Sequence, residues 1–355
     1  MKYVLIGCGR IAPNHIRAAL ENRLDIAAVC DILPENMVGL LREFNLQNQN
    51  IKRYTDYKKM IDEVRPQVAA VATESWQHAE MALYCIDRGI HVIIEKPMAM
   101  NMKDADEIIR RSAEKGVKVC VSHQNRFNQA IQKTRKALEA GHFGRLSHGA
   151  VNVRWYRDKA YYDQAEWRGK WAKDGGTLMN QCIHGIDLLR WMFGDEVDEV
   201  YGATRRQFHD YIEGEDLGMA IVKFKNGAVA TIEGTVNTYQ QNLEETLFIS
   251  GEKGTVKIGG PCVNTIEVWD FADAIENNKG FVEPTENIYG NGHVSLYADF
   301  IDAVQNNRKP YVDAVAGRNA LEMVLAIYKS QKEGKPVKLP LTDFGSEDMS
   351  GEFDE

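Results

Sequence analysis

The chain has 355 residues and a formal net charge of -8, is 44% hydrophobic and 26% charged, and carries six cysteines. That length allows two domains and a large buried core. The acidic balance gives no electrostatic footing for nucleic acid, and no apolar run approaches the roughly 18 residues of a membrane-spanning helix. The cysteines (Cys8, Cys30, Cys85, Cys120, Cys182, Cys262) sit singly among apolar neighbours, and no C-x-x-C pair occurs. The chain opens directly on a strand, without a signal-peptide layout, so a reducing, cytoplasmic setting is expected.

In chain order, Lys2–Ile6 reads as a short apolar strand. It runs into Gly7-Cys8-Gly9-Arg10-Ile11-Ala12 and a helical stretch, Pro13–Glu21. This is G-x-G-x-x-A in the strand–turn–helix context that gives the pattern meaning. Gly7 is expected to make the tight turn and Gly9 to let the backbone approach a pyrophosphate. Ala12 then allows close packing, with phosphates at the helix N-terminus. A second strand, Ile26–Cys30, ends at Asp31, the spacing of a carboxylate that binds ribose hydroxyls; the alternative is a cap for a helix starting near Pro34. An acid there, with no arginine immediately after it, favours NAD over NADP.

The alternation continues with strands at Val68–Ala72, Ile90–Ile94 and Val117–Ser122, and helices at Gln77–Arg88 and Asp104–Lys115. Helices of this length between strands predict a doubly wound parallel sheet. Two strand ends carry chemistry, Thr73-Glu74-Ser75-Trp76 and Glu95-Lys96-Pro97. Ligands collect at such ends, so Lys96 is placed to hold a substrate hydroxyl and move its proton. An ordinary charged pair is the bland alternative.

After residue 124 the pattern changes. Asn128–Ala140 reads as a helix. Ser147–Trp155, Glu199–Thr204, Leu217–Phe224, Ala228–Val236, Glu245–Ser250 and Thr255–Ile258 read as strands, with Asn226-Gly227 as a hairpin turn. This predicts a mainly antiparallel α+β domain, closed by helices at Ser295–Asn306 and Val315–Lys332. The polar, acidic stretch Gly345–Glu355 is expected to be a loose or partner-held tail. Arg154, Arg157, Tyr161, Trp167 and Arg168 make a basic, aromatic run suited to an anionic ligand with a ring; a basic surface loop is the alternative. In Gly175–Trp191, a helix would put Asn180 and His184 on one face, with Asp187 at i+3 orienting the ring or pairing locally.

With these residues the chain resembles the Gfo/Idh/MocA family of nicotinamide-dependent sugar oxidoreductases. The matching pieces are Gly7–Ala12, Thr73–His78, Glu95-Lys96-Pro97, His123–Phe127 and the Gly175-Gly176…His184…Asp187 segment, in family order across essentially the whole chain. The resemblance implies a Rossmann NAD-binding domain (1–124). It implies an open, mainly antiparallel sheet domain (125–355) that binds substrate and forms homodimers or homotetramers. It places Gly7, Gly9, Arg10, Ile11, Asp31, Thr73, Ser75, His78, Glu95, Lys96 and Gln124 at the cofactor. Lys96 and His184 are the catalytic pair, joined at the substrate by Arg154, Arg157, Tyr161, Arg168 and Asn180; no metal is implied.

One departure matters. Many members carry an aspartate where this chain has Asn180, which cannot exchange a proton near neutral pH. Acid–base work then falls on Lys96, with His184 assisting. Asn180–His184, Arg154-Trp155-Tyr156-Arg157 and Tyr161–Ala165 look closest to bacterial UDP-N-acetylglucosaminuronate 3-dehydrogenases. That implies oxidation at C3 of a nucleotide-linked acidic sugar for surface polysaccharide, with a pathway aminotransferase as partner. Three alternatives stand: a free-sugar or inositol dehydrogenase, an NAD-using glycosidase, and a non-catalytic NAD-binding sensor.

Overall fold

A computed structural model describes residues 1–194, 196–285 and 290–354. The chain divides into two compact units. One comprises Met1–Ala99, Asp104–Ser122 and His293–Gly317, the other Met100–Lys103, His123–Gly292 and Arg318–Glu355. A cut at residue 124 therefore follows chain order, whereas in space the segment 293–317 returns to the first unit.

The first unit is built on β1 (Lys2–Ile6), β2 (Asp25–Cys30), β3 (Lys52–Tyr54), β4 (Val68–Val71), β5 (His91–Ile94) and β6 (Val119–Val121). These pair in parallel in the order β3-β2-β1-β4-β5-β6. The order reverses between β1 and β4, the switch point at which such sheets receive dinucleotides. The crossovers are α1 (Ala12–Glu21), α2 (Pro34–Glu43), α3 (Tyr57–Val64), α4 (His78–Asp87) and α5 (Met102–Lys115). All four residues of β4 are buried, as expected of a strand covered on both faces.

Two elements of this unit were not anticipated. β3 is three polar residues at the sheet edge, too short and too exposed to show a period. α3 does carry a local signal: Asp56 caps it, accepting from Lys58 N and Lys59 N, and Met60, Ile61 and Val64 supply its buried face.

The second unit contains α6 (Gln129–Glu139), β7 (Leu146–Arg154), the short α7 (Lys159–Tyr162), and α8 (Ile183–Phe193), which a π-helical turn at Leu178–Cys182 precedes. Then come β8 (Val197–Arg205), β9 (Leu217–Phe224), β10 (Val229–Thr235), β11 (Glu244–Gly251), β12 (Gly254–Gly259) and β13 (Thr265–Phe271). α9 (Gly292–Gln305) falls almost wholly in the first unit, and α10 (Ala314–Glu333) leads to β14 (Val337–Lys338).

The sheet order is β13-β12-β11-β7-β10-β9-β8-β14. Only β10 and β7 pair in parallel. One face is covered by helices: Phe193 of α8 lies over Gly149, and Ile327 of α10 over Gly202, where any side chain would collide. The other face is open and alternates, leaving Tyr201, Met219, Ile221 and Val229 exposed.

The C-terminal stretch corrects an expectation. Residues 345–354 are folded onto the second unit. Ser346 and Met349 are fully buried, Ser346 Oγ donates to Trp171 O at 2.7 Å, and Arg206 donates to Phe353 O. The acidity that suggested a loose tail lies on its outer side, while Phe344 and Met349 anchor it.

Candidate active site

In the first unit the glycine turn has the shape that a dinucleotide requires. Gly7 has φ +94°, and a Cβ there would lie 2.3 Å from Ala72 O. At Gly9 a Cβ would meet nothing within 4 Å, so the backbone is open to a close ligand, and Arg10 is exposed beside it. Ile11 occupies the N-cap of α1. Asp31, at the end of β2, accepts from Cys8 N at 2.8 Å, from Leu33 N at 2.9 Å and from Asn36 Nδ2 at 3.2 Å. One carboxylate thus braces both the glycine turn and the approach to α2. The bracing and ribose readings coexist, since each oxygen has room for more than one donor. An open turn, a helix start and a carboxylate at the neighbouring strand end fit NAD.

Thr73 and Ser75 follow β4, and Ser75 is buried. His78 is placed differently from the expected cofactor contact. It is buried, with Nδ1 2.8 Å from Pro97 O and Nε2 3.1 Å from Thr73 O. Burial pushes its pKa down, so the neutral ring donates to one of these carbonyls and ties the two strand-end loops together.

Glu95 also turns inward. His15 Nε2 lies 3.0 Å from its Oε1, His293 Nε2 lies 3.6 Å away, and Lys96 N donates to Oε2 at 3.2 Å. Burial alone would raise this carboxyl, but the two imidazoles hold it well below the usual range. The network extends from His15 Nδ1 to Tyr297 Oη at 2.6 Å and on to Tyr3 Oη at 3.0 Å. His15, Glu95 and His293 bring metal-type donor atoms within 4.8 Å of one another. The His15–Glu95 contact is already a hydrogen bond, whereas His293, at 3.6 Å from Glu95, makes none through either ring nitrogen among the described residues. Lys96 itself is half-buried at the end of β5. Sequence reasoning missed His15, Tyr297 and His293; the one available signal was a histidine on the apolar face of α1.

In the second unit, Gln124 is buried and its Nε2 lies 3.5 Å from His184 Nε2, while the His123 ring packs edge-on against His184. Asp187 resolves toward pairing: Arg126 holds both its oxygens, at 2.8 and 2.6 Å, and both side chains are buried. Asn180 lies in the π turn and His184 in the first turn of α8, so a wider turn separates them than the uniform helix expected. Asn180 Nδ2 donates to Asp174 Oδ1, and Gln181 Nε2 donates to Asn180 Oδ1 and, at 2.8 Å, to Tyr161 Oη. Arg168 Nη1 donates to the same hydroxyl at 2.5 Å. The relay Arg168–Tyr161–Gln181–Asn180–Asp174 therefore connects the basic, aromatic run to the helix of His184. Asp174 was not anticipated.

The three arginines differ. The Arg168 guanidinium stacks on Tyr161 and Trp167, and that of Arg157 on Trp155 and Tyr161, at 4.4–5.1 Å. Among the described residues neither forms an ion pair. Arg154, expected at the substrate, is committed to Glu233 and Glu244 across the neighbouring strands. Its charge is neutralised within the sheet, which no reading of β7 alone could reveal.

Comparison with known proteins matches this geometry. The model for the oxidoreductase family's NAD-binding Rossmann fold matches residues 1–123, and that for its C-terminal alpha/beta domain matches residues 135–339. The chain is similar to the WlbA dehydrogenase of Bordetella pertussis, solved in complex with NADH and UDP-GlcNAcA: 36% identity, 96% of this chain and 99% of that one, TM-score 0.85. The WlbA enzyme of Chromobacterium violaceum, with the same two ligands, is 33% identical over 96% of each chain, TM-score 0.86. The myo-inositol 2-dehydrogenase of Thermotoga maritima is 23% identical over 96% of this chain and 98% of its own. The protein is an NAD-dependent dehydrogenase of the sugar-oxidising type, and the chain belongs to the Gfo/Idh/MocA oxidoreductase family.

Proposed function

We propose that the protein oxidises C3 of UDP-N-acetylglucosaminuronate, or of a close nucleotide-linked acidic sugar, to the ketone. The observation that carries this reading is the Arg157–Arg168 cluster, stacked on three aromatic rings without a carboxylate partner among the described residues and linked through Tyr161 and Gln181 to Asn180. Planar guanidinium groups on aromatic faces suit a diphosphate and a ring. The likeness to two enzymes solved with UDP-GlcNAcA supports it.

When bound, NAD supplies the acceptor for the hydride that leaves the carbinol carbon. Lys96 accepts the hydroxyl proton. An ordinary lysine, with a pKa of about 10.4, is a poor base at neutral pH, and partial desolvation brings such a group toward the useful range. His184 holds the substrate hydroxyl, and Asn180 orients it. Asp31 and the glycine turn hold the dinucleotide. The product ketone suits a pathway aminotransferase in polysaccharide assembly.

We also assign the open face of the eight-stranded sheet to self-association as a homodimer or homotetramer. Tyr201 and Ile221 face each other across β8 and β9 there, each nearly half exposed.

The test is initial-rate kinetics with NAD and, in parallel, UDP-N-acetylglucosaminuronate, UDP-N-acetylglucosamine and myo-inositol, following NADH. The reading requires the uronate to have the highest kcat/KM. Preference for myo-inositol would return the protein to the inositol dehydrogenases.

A further inference from the structure

The segment that carries Asn180 and His184 begins with a clamp made by two residues distant in sequence. A helix leaves its leading N–H groups without internal partners. Here four successive ones are satisfied by Glu215 and Tyr328. Gly176 N donates to Tyr328 Oη at 3.2 Å, and Met179 N does so at 3.2 Å. Thr177 N donates to the main-chain oxygen of Glu215 at 3.1 Å, and Leu178 N to its Oε1 at 2.8 Å. The Tyr328 hydroxyl then donates to the same Oε1 at 2.8 Å, closing the set. Both residues are fully buried.

The fit is tight enough to need glycine. A Cβ on Gly176 would stand 1.4 Å from Glu215 Oε2, and one on Gly214 would stand 2.9 Å from Gly175 O. Gly176 is therefore explained by the approach of Glu215, and Gly175 by its φ of +74° and by Met179, whose Cβ would lie 2.6 Å from an added Cβ.

We propose that Glu215 and Tyr328 are positioning residues for the dehydrogenation. By fixing the start of the π turn, they set where Asn180 and His184 stand toward the substrate hydroxyl. The catalytic half of this rests on the role given to His184 above; the clamp itself does not.

The ionisation of Glu215 gives the proposal a handle. Burial pushes this carboxyl up to about 8, with Asp216 adding to the effect. The titratable groups around it are Tyr161, Tyr162 and Asp174, which line the same small cavity, together with Tyr328 and Asp216, the last paired with His209. No cation among the described residues compensates Glu215 directly. Below about pH 8 it is neutral, its Oε1 accepting two hydrogen bonds; above that pH an uncompensated charge develops under the turn.

The experiment uses the full chain as wild type, Tyr328→Phe and Glu215→Gln. Hydrogen exchange of peptides spanning residues 174–186 is measured between pH 6 and 9 and corrected for intrinsic rates. Turnover on UDP-N-acetylglucosaminuronate is measured beside it. Tyr328→Phe, which removes the acceptor of two N–H groups, should speed exchange in this segment by roughly tenfold or more. It should lower kcat by roughly 10- to 100-fold, the scale of a misplacement of about 1 Å, while NAD affinity stays within about twofold. Wild type should loosen here above pH 8, and Glu215→Gln, always neutral, should not. Unchanged exchange in Tyr328→Phe, an identical pH response in Glu215→Gln, or a loosened segment with undiminished kcat would each overturn the proposal. If wild type ignores the nucleotide sugar, the functional reading falls, and exchange alone still judges the clamp.

Discussion

Asn180→Asp tests the relay through the quantity it controls, the number of negative charges it can hold. The Asn180 amide donates directly to Asp174 Oδ1, while Asp174 Oδ2 accepts from Gly169 N at 2.7 Å. Asp174 is 3% exposed, so little water is available to screen a second carboxylate. At a separation of about 3 Å and an effective dielectric of about 20, two such charges repel by about 5 kcal/mol. The folded protein can escape by protonating one of them. At pH 7 that costs about 4 kcal/mol, because a free aspartate has a pKa of about 3.9 and each unit is worth about 1.4 kcal/mol. The smaller cost sets the ceiling, so the variant should lose up to about 4 kcal/mol at pH 7. The pair's proton is bound more tightly in the folded state than in the unfolded one. The variant's relative stability is therefore intact at low pH and is lost as pH rises, at about 1.4 kcal/mol per unit. Urea denaturation of both proteins at pH 5 and pH 7 should show a difference growing by about 2.7 kcal/mol. Adding Asp174→Asn restores one carboxylate to the pair and should recover most of the loss. A pH-independent difference, or one below about 1 kcal/mol at pH 7, would mean that the two side chains do not share this contact.

Lys96→Met should lower turnover on the true substrate by about 100-fold or more with NAD affinity little changed, and near-normal rates would remove Lys96 as the base. Calorimetric titration should show tighter binding of NAD than NADP, and Asp31→Ala should narrow the ratio; tighter NADP binding in wild type would contradict the ribose role of Asp31. Ile221→Lys, on the open sheet face, should shift the mass seen by light scattering to a smaller species, whereas a monomeric wild type would end that assignment. Glu245, buried on β11 and pushed up to about 8 by desolvation, is protonated in the fold and ionised when unfolded between pH 4.5 and about 8. Its contribution is complete below about pH 4.5 and fades as pH rises. Glu245→Gln should therefore gain on wild type across that window, by up to about 1.4 kcal/mol per unit, and a flat difference in thermal denaturation would refute this.

What was legible in the sequence was whatever local signals agreed on. Lys2–Ile6, the glycine turn and α1 follow from an apolar run, a residue pair free of Cβ and a proline in the first helical turn, all within 20 residues. The antiparallel strands of the second unit showed themselves by alternation, as in Leu217–Phe224. β13 did not, because Thr265–Phe271 mixes exposed and buried residues around Glu267 and Asp270. Around the candidate site, the residues that sequence could single out are those marked by their own loop, among them Gly7, Asp31, Lys96 and His184, whose roles are proposed above. Residues that act through a distant partner were not. Arg154 reads as an anion clamp until β10 and β11 place Glu233 and Glu244 beside it. Glu95 reads as a cofactor ligand until His15 and His293 close over it.

The buried carboxyls of this fold show what decides whether burial ends in charge or in neutrality. Asp216 is fully buried, yet it is held down to about 2. Desolvation opposes this, but His209 and the N–H groups of Gln207, Phe208 and His209 donate to it, as does Asn237 Nδ2, and these donors are spread over both oxygens. Glu215, its neighbour in sequence, accepts from Leu178 N and Tyr328 Oη on Oε1 alone, and burial pushes it up to about 8. One residue apart, the two acids shift in opposite directions: burial dominates at Glu215, whereas at Asp216 the His209 ring and the other donors on both oxygens outweigh it. Their effects on stability oppose each other in sign. The Asp216 contribution is present above its ordinary value and lost as pH falls toward 2. That of Glu215 is complete below about 4.5 and lost as pH rises toward 8. Both contributions are complete only between the two ordinary values, 3.8 and 4.5; from there to about pH 8 the start of the segment carrying Asn180 and His184 still rests on an uncharged carboxyl, at a cost in stability that grows with pH. A charged acid at position 215 would need a compensating cation, and among the described residues none pairs with Glu215.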